Sequence, residues 1–313
     1  MRNRTTSWTT SCRRKNEQVS TALLLAAGIG SRLSPFTDMA PKCLLPVNEI
    51  PILERLIHSL QIHKFKRLVV VVGHQAAHVR EFLGTRAGGM DISYITSHSY
   101  KTTNNIYSLW LARHVIEEPF LLIESDLVFD PAMLTDMLRP DRIAVARLQP
   151  WMNGTTVTIN SRREIEAFYC GAHKHDYNQY KTVNIYSLST ITWQMVRERL
   201  QQHISKEMVN GYYETVFADM VSDGCLSFTP VLFDNNRWYE IDTIADLRAA
   251  EQMWGLHHRH PAVLTDHMVS EVKGQGYPPA CRHPEAISRI ERAPRRIESA
   301  PRSHLGREGV GAQ

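Results

Sequence analysis

The chain has 313 residues, room for one large domain or two small ones, and its 43% hydrophobic and 22% charged content excludes wholesale disorder. The net charge of +4 belongs to the ends: residues 1–20 carry five basic and one acidic residue, residues 255–313 nine and six, and 21–254 has 22 against 25. A nucleic-acid surface would carry its surplus on the folded face, so that partner is set aside. Five scattered cysteines without C-x-x-C, no apolar run near ~20 residues and no cleavable leader point to a reduced cytoplasmic protein with no membrane span.

In chain order, residues 1–20 read as a disordered basic segment. Ala22–Ala26 is a short apolar run followed by a glycine turn, and Leu53–His63 has helical apolar spacing. Leu68–Val72 reads as a strand, Ala76–Leu83 as a helix, Ile92–Ile95 as a strand, and Ile106–Val115 as a helix capped by Thr103 or Asn104. Phe120–Ile123 is another apolar run, Pro131 opens a helix to Leu138, and Ile143–Ala146 is a strand. This alternation predicts βαβ units, an α/β domain with a mostly parallel sheet. Beyond Arg147 the runs Thr155–Ile159, Ile165–Tyr169 and Thr182–Ser187 suggest a mixed extension. Helices follow at Ile191–His203 and Tyr212–Val221, strands at Leu226–Val231 and Trp238–Ile241, and a closing helix at Ile244–Trp254. Residues 255–313 hold six of the fifteen prolines and no lasting periodicity, and read as a low-order Pro/Arg-rich tail. His257, His258 and His260 there lack nearby Cys or acidic partners and read as tail composition.

The sharpest motif is Ala22-Leu-Leu-Leu-Ala-Ala-Gly-Ile-Gly-Ser-Arg-Leu33 with Pro41-Lys42 beyond it. Ala26, Ala27, Gly28 and Gly30 carry almost no side chain, so backbone N–H groups can approach an anion, and Arg32 and Lys42 add positive charge. No G-K-[ST] follows, so it is not a P-loop, and Leu33 stands where a dinucleotide fingerprint needs its third glycine. A plain turn is the bland alternative. Asp126 and Asp242 each follow a strand, the second in Trp-Tyr-Glu-Ile-Asp. Two carboxylates at strand ends suit Mg²⁺, with phosphates and water completing an octahedron; capping of the next element is the alternative, Asp242 being a good N-cap candidate.

The glycine string with its lysine resembles the signature L-x-A-A-G-x-G-x-R-L…P-K of nucleotidyltransferases, which include sugar-nucleotide pyrophosphorylases and the cytidylyltransferases of phosphocholine and 2-aminoethylphosphonate. The resemblance covers 21–254 and implies a Rossmann-like (GT-A-like) domain. It implies a nucleotide-binding set of Leu25, Ala26, Ala27, Gly28, Gly30, Asn104, Asn105 and Ser125, catalytic Lys42 and Arg32, and Mg²⁺ on Asp126 and Asp242. Thr103-Asn-Asn-Ile-Tyr-Ser-Leu-Trp is similar to a string of the cytidylyltransferase members, where Asn104 or Asn105 offers a donor and an acceptor to a pyrimidine edge; hence CTP. Tyr180-Lys-Thr-Val-Asn-Ile-Tyr186 resembles the aminoethylphosphonate-type members. Lys181, Asn184, Glu214 and Glu240 are the acceptor candidates, with Glu124 either supporting the metal ligands from behind or binding the amine; Lys181 and Asn184 facing solvent is the alternative.

Quaternary ammonium favours an aromatic cage, and Trp151, Tyr212, Tyr213, Trp238 and Tyr239 are available; a primary ammonium needs carboxylates. The expected reaction is Mg²⁺-dependent transfer of CMP from CTP to 2-aminoethylphosphonate with release of pyrophosphate. Phosphocholine, a sugar 1-phosphate or a non-catalytic nucleotide-binding regulatory subunit are the alternatives. The reading leaves room for a homodimer.

Overall fold

A computed structural model describes residues 18–171 and 178–254. Strand β1 (Thr21–Ala26) is buried along its whole length. Its alternate residues serve two cores: Ala22, Leu24 and Ala26 face one, Leu23 and Leu25 the other. A strand apolar on both faces belongs in a covered parallel sheet.

After the glycine turn come a 3-10 turn (Ser31–Leu33), α1 (Phe36–Met39), a second 3-10 turn (Lys42–Leu44), and the short strands β2 (Pro46–Val47) and β3 (Ile50–Pro51). Then follow α2 (Ile52–Ile62), β4 (Arg67–Val72), α3 (Ala76–Leu83), β5 (Arg86–Ala87), β6 (Met90–Thr96), α4 (Asn105–Leu111), β7 (Phe120–Glu124) and β8 (Leu127–Phe129). The second half holds β9 (Arg142–Arg147), β10 (Thr156–Ile159), β11 (Ile165–Tyr169), β12 (Tyr180–Leu188), α5 (Thr190–Ser205), α6 (Tyr213–Ser222), β13 (Thr229–Phe233), β14 (Trp238–Glu240) and α7 (Ile244–Met253).

The main sheet runs β11-β10-β12-β7-β1-β4-β6-β5, with β9 pairing β12 and β13. Strands β7, β1, β4 and β6 are mutually parallel, and the sheet turns mixed where β12 joins β7 antiparallel. This is the expected α/β architecture with its elaborated second half.

Several details depart from expectation. Trp238–Glu240 is not in the main sheet: it pairs antiparallel with β8, which the sequence did not announce. The strand expected at Leu226–Val231 begins instead at Thr229. It pairs only with β9, and Pro230, which has no N–H to donate, is tolerated at such an edge. The segment Pro131–Leu138 is 3-10 rather than α, with Asp130 capping it through Ala132 N–H. The fold also starts before Thr21. Val19 is buried and donates to Leu138 O at 2.9 Å, and Ser20 O accepts from Lys66 at 2.8 Å. The expectations for residues 1–17 and 255–313, including the three tail histidines, lie outside the described residues.

The β4 end buttresses the glycine turn. Gly73 follows β4, and His74 donates its N–H to Ala27 O at 3.1 Å. A Cβ on Gly73 would sit 2.7 Å from both Ala27 O and Tyr100 Cβ. Neither contact is the free end of a flexible chain, so Gly73→Ala should cost about 1–3 kcal/mol of overpacking. Chemical denaturation of the variant against the parent measures this.

Candidate active site

A cavity of about 710 Å³ opens at the carboxyl ends of β1 and β7, where parallel α/β sheets place their ligands. Leu25, Ala27, Gly28, Gly30 and Arg32 line one wall. A Cβ at Gly28 would meet nothing within 4 Å, so the backbone there is open to a ligand. Gly30 is constrained differently: its φ of +69° is left-handed, and a Cβ would press on Thr37 Cγ2 at 3.1 Å and Lys42 Cβ at 3.2 Å. Thr37 Oγ1 donates to Gly30 O at 2.9 Å and holds the turn. Ala26 is a correction: strand alternation turns it into the core, and it does not line the cavity.

The two aspartates meet through the β8–β14 ladder. Glu240 pairs with Leu127, and one step further Ile241 N–H donates to Asp126 O at 2.9 Å. That register sets Asp126 and Asp242 side by side. Asp242 is not the helix cap: Thr243 caps α7 in a capping box with Asp246, so the Asp242 carboxylate is available to the site. Lys42 Nζ lies between the pair, 2.8 Å from Asp126 Oδ2 and 2.8 Å from Asp242 Oδ1. Arg32 reaches Asp242 Oδ1 at 2.7 Å from a largely exposed position. Burial alone would lower the Lys42 pKa, but the two carboxylates overcome it and hold the ammonium well above its ordinary range. Asp242 is held below the usual carboxylate range, where Lys42 and Arg32 outweigh the opposing effect of burial.

Asp126 Oδ1 is buried without a hydrogen-bond partner. An orphaned hard oxygen beside a second carboxylate fits a divalent oxygen-seeking cation. Among the described residues no group of three or more His, Cys, Asp or Glu side chains is arranged to hold a metal. Asp126 and Asp242 are the two carboxylates that could offer oxygens to such a cation, with ligand and solvent completing its shell.

Part of the cavity is acidic: Glu124, Glu214 and Glu240 all line it with Lys181 among them, and Asp126 acts on Glu124 and Glu240. Glu240 is satisfied on both oxygens, by Lys181 Nζ at 3.1 Å and Asn184 Nδ2 at 3.0 Å. Glu124 Oε1 accepts from Asn105 Nδ2 at 3.0 Å. Glu214 is 4% exposed, and its Oε2 is buried with no partner. Burial pushes its carboxyl up to about 7. Burial and the neighbouring carboxylates Asp126, Glu214 and Glu240 also raise Glu124 well above the ordinary value. Burial raises Glu240, with Lys181 opposing.

Local backbone irregularity presents these groups. The β12–β9 register shifts between Thr182 and Tyr186, and Asn184 has φ 59°, left-handed in mid-strand. This bulge brings Lys181 and Asn184 to one cavity. Lys181 does not face solvent; it is buried, and it donates to Thr182 O at 2.7 Å. Glu214 stands beside Tyr213, whose ring packs edge-on against Tyr186 at 5.6 Å in the aromatic core.

Asn104 and Asn105 line the cavity, but their side chains are already engaged. Asn104 Oδ1 caps α4 by accepting from Asn105 N–H at 2.8 Å. Asn105 Oδ1 accepts from Tyr213 N–H at 3.0 Å while its amide holds Glu124. Ser125 lines the cavity as expected. Of the five aromatics considered for a cage, only Tyr212 lines it; Trp151, Trp238 and Tyr239 face a small adjoining pocket of about 50 Å³. Tyr100 and Gly154 also line the main cavity, but no motif in the sequence marks them.

Residues 22–300 match the family model described as a MobA-like NTP transferase domain, so the chain belongs to this nucleotidyltransferase family. It is 33% identical over 242 residues to the CMP-5'-(3-aminopropyl)phosphonate synthase of Streptomyces rubellomurinus, spanning 74% of this chain but only 38% of that relative. It is 24% identical over 238 residues to the choline-phosphate cytidylyltransferase of Streptococcus pneumoniae, covering 74% of this chain and 97% of the relative. The solved CTP:phosphocholine cytidylyltransferase from Streptococcus pneumoniae superposes with a TM-score of 0.67 at 21% identity, over 76% of this chain and all of that one, and shares the fold. No helix among the described residues is long and apolar enough to cross a membrane.

Asn105 ties α4, β7 and α6 together. Asn105→Ala would leave the Tyr213 N–H without its partner, and a loss of about 1–3 kcal/mol in chemical denaturation is expected.

Proposed function

We propose that the chain is a Mg²⁺-dependent cytidylyltransferase that moves CMP from CTP to an aminoalkylphosphonate, 2-aminoethylphosphonate foremost, and releases pyrophosphate. The observation that carries the acceptor is the buried Glu214 Oε2 without a partner, in a wall of three carboxylates and one cation. A buried carboxylate oxygen without a partner is satisfied by a positive group with N–H donors. A primary ammonium has three such donors; a quaternary ammonium has none and depends on aromatic faces, of which the cavity has few. Its resemblance to the aminopropylphosphonate enzyme, the first of the relatives above, supports the same class.

In this reading Gly28 and its neighbours hold the triphosphate through backbone N–H groups. Lys42 and Arg32 carry positive charge to the phosphates, and Glu214 with its acidic neighbours holds the ammonium, turning the phosphonate toward the glycine turn. Mg²⁺, when bound on Asp126 and Asp242, offsets the negative charge of the phosphate oxygens. A phosphonate oxygen forms the new bond to the α-phosphorus as the bond to pyrophosphate breaks. The acceptor is largely dianionic near neutral pH, by analogy with phosphate esters whose second pKa is about 6, so no side chain has to remove a proton. The work is positioning and charge.

Pyrophosphate release with CTP and Mg²⁺ tests the proposal. We expect kcat/KM for 2-aminoethylphosphonate to exceed that for phosphocholine by at least about tenfold, the worth of roughly one lost charged hydrogen bond. Equal or reversed preference rejects the ammonium site, and a preference for hexose 1-phosphates moves the chain to the sugar branch. Asp126→Asn and Asp242→Asn should each reduce kcat by about 10²-fold or more with the fold retained by circular dichroism. A fully active variant removes that residue from the site.

A second test uses pH. With its carboxyl at about 7, Glu214 is neutral at lower pH and cannot pair with an ammonium. The acceptor KM should therefore rise as pH falls through 7. Glu214→Gln should start with a high KM and lose that part of the pH dependence, which separates it from ionisation of the phosphonate itself.

A further inference from the structure

We propose that the Lys42 ammonium occupies, in the free protein, the place between Asp126 and Asp242 that the divalent cation takes in the loaded one, so that the cation enters together with the nucleotide triphosphate rather than ahead of it. The proposal rests on the metal reading of the two aspartates and adds an order of events to it.

The geometry is that of a filled site. One ammonium lies 2.8 Å from a carboxylate oxygen of each aspartate, and Arg32 adds a third contact at 2.7 Å to the same Asp242 oxygen. Two negative charges thus meet two positive ones. The charges of Asp126 and Asp242 are themselves offset, which weakens their pull on a free divalent ion, and one oxygen of each is already engaged. Only Asp126 Oδ1 is buried and unpartnered. A magnesium ion takes oxygens at about 2.0–2.1 Å and tolerates little distortion. A cation seated between the same two oxygens, Asp126 Oδ2 and Asp242 Oδ1, would take the place of the ammonium, so Lys42 has to leave for it to enter there.

The destination lies beside the lysine's own stem. Gly30 packs against Lys42, where a Cβ would come within 3.2 Å of Lys42 Cβ and 3.6 Å of Cδ. The stem is therefore held at the glycine turn, and the ammonium can swing about it into the same cavity, which Lys42, Gly28 and Gly30 all line. A triphosphate on that turn offers the ammonium new anionic partners as the metal takes the carboxylates. Each cation then has its own anions, and neither step is favourable without the other. That is a coupling between two ligands carried by one side chain.

Mn²⁺ binding to the nucleotide-free full chain, read by electron paramagnetic resonance, tests the exchange. Wild type should bind Mn²⁺ weakly and Lys42→Met about tenfold or more tighter, within the range usual for coupled sites. Combining Lys42→Met with Asp126→Asn should abolish the gain. Equal Mn²⁺ affinity in wild type and Lys42→Met overturns the exchange and leaves the metal site standing. A folded Lys42→Met that binds no Mn²⁺ overturns both. Should Lys42→Met fail to fold, wild type carries the test through amine-selective acylation of Lys42 followed by peptide mass spectrometry. Acylation should rise when Mn²⁺ and a non-reactive CTP analogue are added together and change little with Mn²⁺ alone. Unchanged labelling under both conditions overturns the exchange.

Discussion

The site depends on one short antiparallel ladder. Strands β8 and β14 have three residues each, yet their register sets Asp126 beside Asp242 across 116 positions of chain. Two carboxylates so close repel, and burial strengthens the repulsion. Lys42 resolves it by standing between them, 2.8 Å from each. The glycine turn, the ladder and the lysine are thus one unit. Gly30 is needed where a side chain would press on the Lys42 stem, and Thr37 fixes the turn that carries both. A change in any of these shifts the charge balance at the aspartates before it touches a ligand.

The sequence made the main architecture legible because its periodic segments are long enough to be read. Helix α3 coincides with its expected span, β11 likewise, and the apolar runs of β1, β4 and β7 form the parallel centre. The ladder was invisible for the opposite reason. Leu127–Phe129 is too short for any periodicity, so nothing placed Asp126 and Asp242 together except a resemblance between motifs. The capping alternative for Asp242 failed because Thr243, one residue on, forms the stronger box with Asp246. Ala26 illustrates a finer rule: a loop's smallest residues are not all its lining, since strand alternation still decides which face each one takes.

The acidic part of the cavity was legible only in composition. Glu214 and Glu240 could be named as acids available to an amine, but the bulge that positions Lys181 and Asn184 leaves no turn residue as a signal; Asn184 adopts φ 59° within a strand. Its side chain explains why it stays there. Asn184 accepts from Thr182 Oγ1 at 3.0 Å and donates to Glu240 at 3.0 Å, so the strained backbone is held by the acidic wall it helps to build. The aromatic residues went the other way: composition offered five, and packing left one in the cavity.

The charged groups of the cavity are unevenly balanced. Asp126 and Asp242 are matched by Lys42 and Arg32, whereas Glu124, Glu214 and Glu240 have only Lys181 among them, and they lie near enough to the aspartates for Asp126 to act on Glu124 and Glu240. Glu124, Glu214 and Glu240 cannot all keep their negative charge while the cavity is empty, since buried unpaired charge is costly. Glu214, at about 7, relieves that cost by holding a proton for much of the time near neutral pH. The negative charge of these carboxylates is therefore largest when a cation is present to stabilise it, and the empty site is correspondingly less strained.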